Sequence, residues 1–109
     1  MYRYDLKDLD RAVCDRETEG FIKVLTPKGS DQLLGVSLVG SHAGDCLHEL
    51  ILAMQQNIGL KQIAAMIHVY PTLAEVSKRV ADSYQRSRLT PRYRGWLKRY
   101  FNWRLGSCK

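Results

Sequence analysis

Leu34-Gly35-Val36-Ser37-Leu38-Val39-Gly40-Ser41-His42-Ala43-Gly44-Asp45 changes its period halfway along. Before Gly40 the pattern is that of a strand. Leu34, Val36 and Leu38 share one face by the two-residue repeat, with Leu33, Ser37 and Val39 on the other. Apolar residues occur on both faces, so neither is expected to be fully solvated. From Ala43 the period is helical. Leu47, Leu50, Ile51, Met54 and Ile58 make one apolar stripe at i, i+3, i+4 spacing, and Gly59 is placed to end that helix as its C′ residue.

The preceding segments read as strands. Tyr2 to Leu6 fits a short strand, and Leu9 to Asp15 a turn or short helix with Leu9 and Val13 inward. Phe21 to Thr26 is rich in β-formers between Gly20 and Pro27. The turn-dense Pro27 to Asp31 joins it to a strand over Gln32 to Val39, an antiparallel hairpin.

The segments that follow are helical. Leu60, Ile63, Ala64 and Ile67 keep helical spacing until His68-Val69-Tyr70-Pro71 breaks it, because a residue before proline is steered away from the α region. Thr72-Leu73-Ala74-Glu75 is a capping-box sequence, opening a helix with Leu73, Val76, Val80 and Tyr84 inward. Thr90-Pro91 opens the last helix, whose Tyr93, Trp96, Leu97, Tyr100 and Trp103 form an aromatic stripe beside Arg94, Lys98 and Arg99. Strands first and helices after give an α+β fold, an antiparallel β-sheet with helices packed on one side, plus a C-terminal basic helix. The division expected is a domain over residues 1–89 and a basic aromatic tail over 90–109. The helices after Pro71 are expected to carry more apolar surface than a small sheet can cover.

Length and composition narrow the function. A chain of 109 residues, 45% hydrophobic and 26% charged, has room for one core and is too apolar for disorder. No stretch reaches the ~18 apolar residues of a membrane span, and the polar Met1 to Asp5 start carries no signal-peptide core. Cys14, Cys46 and Cys108 are an odd, widely spaced set, so the expected setting is reducing and cytoplasmic, with no disulfide framework. Residues 83–109 hold eight basic side chains and no acid, whereas residues 1–82 hold nine basic against eleven acidic. The net +6 therefore belongs to the tail. No GxGxxG or Walker sequence is present, so no cofactor-binding residue is assigned. His42 and Cys46 stand at i, i+4, but no further ligand accompanies them and no metal site is assigned.

Three stretches in order carry a family resemblance. Glu19-Gly20-Phe21-Ile22-Lys23-Val24, then Leu34 to Asp45, then Ile67-His68-Val69-Tyr70-Pro71-Thr72-Leu73-Ala74-Glu75 resemble the C-terminal dimerisation domain of FAD-dependent pyridine nucleotide–disulfide oxidoreductases. The resemblance spans residues 2 to 85. It implies a homodimer, with FAD- and NAD(P)H-binding domains upstream in the same polypeptide and the near-terminal motif reaching the partner subunit's redox site. The isolated chain is then expected to be inactive. The residues assigned to that site in trans are Tyr70, Glu75 and His68. The family commonly has a histidine immediately before the proline, held by a glutamate five positions later. Here Tyr70 takes the pre-proline place, Glu75 matches the glutamate, and His68 lies two residues earlier. Within the mercuric-reductase-like and dihydrolipoamide-dehydrogenase-like part of the family, tyrosine near this point is similar to the mercuric-reductase-like branch and, less closely, to the transhydrogenase-like one. Mercuric reductases end in a vicinal cysteine pair, whereas this sequence has Cys108 alone near its end.

Each residue also has a plainer reading. The capping box explains Glu75 without chemistry, and sequence alone favours it. His68 and Tyr70 could simply pack a turn. The basic aromatic tail fits a helix packed on its own domain or on the partner, with an anionic membrane surface next and nucleic acid the weaker choice. The alternative for the whole chain is a stand-alone basic interaction protein acting at nucleic acid or membrane.

Overall fold

The computed structural model describes residues 1–106; Cys108 lies outside the described residues. Three strands, β1 (Tyr2–Asp5), β2 (Phe21–Leu25) and β3 (Gly35–Val39), form an antiparallel sheet in the order β1-β2-β3. The register aligns Tyr2 with Val24 and Val24 with Val36, and likewise Tyr4 with Ile22 and Ile22 with Leu38. These two cross-strand rows are the core face, and Ile22 and Val24 are fully buried there. The opposite face carries Arg3 over the Phe21 ring at 4.2 Å, Lys23 at 4.9 Å from the same ring, and an exposed Val39. That face is open within this chain, contrary to the expectation from Leu33 and Val39. Leu33 is buried, but in the loop before β3 rather than in the sheet.

Helices α1 (Asp10–Cys14), α2 (Ala43–Gln55), α3 (Leu60–Ala65) and α4 (Val76–Ser87) complete the domain. In α4 the expected stripe is met: Val76, Val80 and Tyr84 are buried. Ser77 and Ala81 are buried as well, small residues on a helix that packs on both the sheet and α3. In α1, Leu9 and Ala12 face inward and Val13 is exposed, a shift of one position from the expected pair. The same kind of shift occurs in α2, where Cys46, Leu50 and Ala53 are buried while Ile51, Leu52 and Met54 are exposed. The burial of Leu50 alone stabilises by roughly 1.5–3 kcal/mol. Too many apolar residues surround α2 for periodicity to single out the inward face.

The link from α2 to α3 differs from the sequence expectation. Asn57, at φ 54°, supplies the left-handed residue that ends α2. Its N–H donates to the Met54 carbonyl at 3.4 Å, and the Ile58 N–H donates to Ala53 at 2.8 Å, together a Schellman arrangement. Gly59 instead stands at the N-cap of α3. There the Asp31 carboxylate accepts the Lys61 N–H at 3.1 Å and the Asp31 carbonyl accepts the Leu60 N–H at 2.9 Å. A Cβ at position 59 would collide with that carboxylate, so the glycine is required by close approach. Gly40 meets a second such need, with φ 149° and the Leu6 side chain where its Cβ would be.

Helix α5 (Pro91–Gly106) stands apart, with no buried residue. The expected packing of its aromatic stripe on its own domain is therefore not found. Excess apolar surface lies on α5 and on α2 and the segment before Pro71, while α4 is absorbed by the core. Among the described residues no helix is long and apolar enough to cross a membrane.

Candidate functional site

Helix α3 ends at Ala65, two residues earlier than the spacing of Ile67 suggests, and Met66 is already extended. From there the chain alternates as a strand does: Ile67 and Val69 project outward, 93% and 76% exposed, while the His68 side chain turns inward and is 4% exposed. His68 Nε2 lies 2.6 Å from Glu49 Oε1 on α2, and its Nδ1 lies 3.1 Å from the Met66 carbonyl. Both partners are acceptors, so both ring nitrogens are engaged and no lone pair faces outward for proton abstraction. His68 anchors the loop to α2.

A second anchor lies on α1. The Tyr70 hydroxyl donates to Asp10 Oδ2 at 2.7 Å, and Arg11 Nη1 donates to the Pro71 carbonyl at 3.4 Å. The Tyr70–Pro71 peptide bond is cis. The hydrogen bond to Asp10, and then its charge, push the Tyr70 phenol above the ordinary tyrosine value. At neutral pH this tyrosine is a hydrogen-bond donor, not a base.

Glu75 is buried at the end of a 3-10 turn, Leu73–Glu75. The capping box does not form: Thr72 Oγ1 donates to the Val69 carbonyl at 2.7 Å, and no side chain caps the turn. Glu75 Oε1 pairs with Arg79 Nη2 at 2.7 Å, while its Oε2 and the Arg79 Nε are buried without partners. Burial raises the Tyr4 phenol and the Arg79 charge lowers it, with Asp8, Asp10 and then Glu75 raising it further. Tyr70, Glu75 and His68 therefore share one end of the fold but are held by Asp10, Arg79 and Glu49, not by one another. The link from Glu75 to the pre-proline side chain implied by the resemblance is absent. Asp10 and Glu49 were not signalled in the sequence, since they lie 60 and 19 residues from the groups they hold, whereas Arg79 stands at the i+4 spacing from Glu75.

His42 and Cys46 separate chemically. His42 is exposed at the start of α2, whereas Cys46 is buried and its thiol pushed up by that burial. The strand-to-helix turn before α2 does not fit a dinucleotide. His42 stands at its N-cap and the acidic Asp45 lies in its first turn, which opposes a phosphate.

The family described as "Pyridine nucleotide-disulphide oxidoreductase, dimerisation domain" matches residues 1–81. A mitochondrial dihydrolipoyl dehydrogenase of Dictyostelium discoideum is 39% identical over 77 residues, covering 70% of this chain and 16% of the relative. A dihydrolipoyl dehydrogenase of Staphylococcus aureus is 39% identical over 72 residues, 66% of this chain and 15% of its own length. The crystal structure of LpdA from Mycobacterium tuberculosis superposes with a TM-score of 0.68 at 22% identity, over 73% of this chain and 17% of that one. The α+β fold with its antiparallel sheet is thus the fold of that neighbour. The chain spans about a sixth of the length of the curated relatives it matches. A stand-alone basic interaction protein gains no support from these matches. The matched residues, the three-stranded sheet and the ordered motifs agree: this chain belongs to the pyridine nucleotide–disulphide oxidoreductase family, as a dimerisation domain.

Proposed function

We propose that this chain pairs two subunits of an FAD- and NAD(P)H-dependent oxidoreductase and that the Ile67–Pro71 loop is presented to the partner subunit's redox site. The observation that carries this is the loop itself. It is tied down at His68 and Tyr70, yet it exposes Ile67 and Val69 almost completely. Anchored apolar side chains left in water are the signature of a surface made to be covered. The exposed Ile51, Leu52 and Met54 of α2 extend the apolar surface, and Leu52 with Ile58, Ile63 and Met66 lines a groove of about 280 Å³.

On this reading Tyr70, its one proton held by Asp10, accepts a hydrogen bond in trans through its hydroxyl oxygen, while His68 and Glu75 position the loop and its base. The flavin and nicotinamide belong to preceding domains, and no residue here builds a loop for either. The electron acceptor is a disulfide, a metal ion or a related group. The phenol, held protonated by Asp10, does not replace a histidine base in disulfide chemistry. The homodimer is isologous, residues 1–89 form the pairing domain, and 90–109 are an appendage outside the matched region. The exposed Cys14 and the buried, unpaired Cys46 suit a reducing, cytoplasmic setting.

Mixed dimers of the full-length parent test the trans assignment. One subunit carries Tyr70→Phe, the other lacks the redox cysteines of its flavin domain. Recovery of turnover in the mixed dimer, absent from either parent dimer, is the expected result. A mixed dimer as inactive as its parents would place the site within one subunit.

A further inference from the structure

We propose that α5 is a peripheral anchor for an anionic lipid surface, with phosphodiester headgroups as its ligand. The helix lies beyond residue 81, where the family match ends, and none of its side chains is taken up by the domain. At the roughly 100° per residue of an α-helix, Tyr93, Trp96, Leu97, Tyr100 and Trp103 share one arc. Arg92 and Arg99 flank that arc on one side, Arg94 and Lys98 on the other, and Arg104 lies within it over the Tyr100 ring. Such a helix lies in the plane of an interface, rings at headgroup level and basic side chains reaching the phosphates.

The aromatic arc is already self-stacked. Trp96 and Tyr100 lie 5.8 Å apart with planes 14° apart, and Tyr100 touches Trp103 at 6.5 Å. Trp96 and Trp103 nevertheless remain 62% and 71% exposed. Beside them Gly95 leaves a notch, with nothing within 4 Å of where a Cβ would be. Arg92, Gly95, Trp96 and Arg99 line a shallow cavity of about 410 Å³ there, two guanidinium groups beside an indole face. Two arginines thus stand beside an exposed indole at the flank of the aromatic arc, the combination a phosphodiester headgroup would meet there.

Charge selects the occupant. No acidic residue follows Asp82, so nothing in residues 90–109 offsets their six basic side chains. The surface of an anionic leaflet attracts each such charge by about a fivefold gain in binding, equivalent to ~1 kcal/mol. Single-stranded nucleic acid would also meet arginine and aromatic groups. It is gripped by splayed rings that accept bases between them, whereas here the rings are closed on one another.

The sequence contains two tryptophans, both on α5, so intrinsic fluorescence reports this helix alone. The 109-residue chain is titrated with vesicles of phosphatidylglycerol and phosphatidylcholine, with pure phosphatidylcholine vesicles, and with oligo(dT). Expected are a blue shift and cosedimentation with the anionic vesicles that weaken as salt rises, and far weaker binding to phosphatidylcholine. R92Q combined with R99Q should weaken that binding roughly 30-fold, at about fivefold per charge, with an unchanged circular dichroism spectrum. W96A should weaken cosedimentation with the anionic vesicles, the remaining Trp103 reporting a smaller blue shift at the same lipid concentration. Equal binding to both vesicle types, tighter binding to oligo(dT), or a concentration-dependent blue shift without lipid would overturn the proposal. The last result would place α5 against a second copy and leave the pairing reading standing.

Discussion

The Tyr70 hydroxyl and the Asp10 carboxylate, sixty residues apart in sequence, are joined by a 2.7 Å hydrogen bond that fixes the pre-proline residue to α1. Asp10→Asn removes the charge that disfavours the phenolate. The Tyr70 phenol should then titrate nearer the ordinary tyrosine value of ~10, as read by alkaline absorbance or by NMR of the labelled ring. Because the folded-state value is raised, the stability it contributes is complete below the unfolded value. It is lost as pH rises through the folded one. The Tyr70 contribution to unfolding free energy should therefore be lost in the alkaline range, and be smaller in the Asp10→Asn variant.

His68 should behave as a structural anchor in the isolated chain. His68→Ala leaves Glu49 without its partner and should cost roughly 1–3 kcal/mol in urea unfolding, the range for a hydrogen bond involving a charged group. Glu49→Gln should cost less, since an amide oxygen still faces the ring. A His68→Ala variant as stable as the parent would detach the loop from α2.

Gly59→Ala should destabilise the chain by about 1 kcal/mol or more, because a Cβ displaces the Asp31 carboxylate that caps α3. Asp31→Ala should cost a similar amount. The double variant should cost little more than either single change, which thermal unfolding can check.

Ile67→Asp should leave the circular dichroism spectrum and the core intact, because the side chain is almost wholly exposed. It should weaken self-association by at least tenfold, about 1.4 kcal/mol, by burying a charge in the covered surface. Normal association of this variant would move the interface away from the loop.

The β2–β3 pair and the α4 stripe were legible because their periods were clean. Val36 and Leu38 alternate, and Val76, Val80 and Tyr84 step by helical turns. The inward face of α2 was not legible, because Cys46 and Ala53 are weaker hydrophobes than the exposed Ile51 and Leu52 that compete with them. Gly59 was misread for a similar reason. Glycine after a helix suggests a C′ residue, but Asn57 served that role and the need for Gly59 came from Asp31, 28 positions upstream. For the site, the order of the motifs located the loop and its three residues. Two of their actual partners, Asp10 and Glu49, arise from tertiary packing that no local spacing encodes, whereas Arg79 stands at i+4 from Glu75.

Pairing itself is tested most directly by sedimentation equilibrium of the 109-residue chain across the micromolar range. Its monomer mass is 12.5 kDa. Self-association to a species of twice that mass, weakened in the Ile67→Asp variant, is the predicted result. A single monomeric species persisting to hundreds of micromolar would contradict the assignment of this surface to subunit pairing.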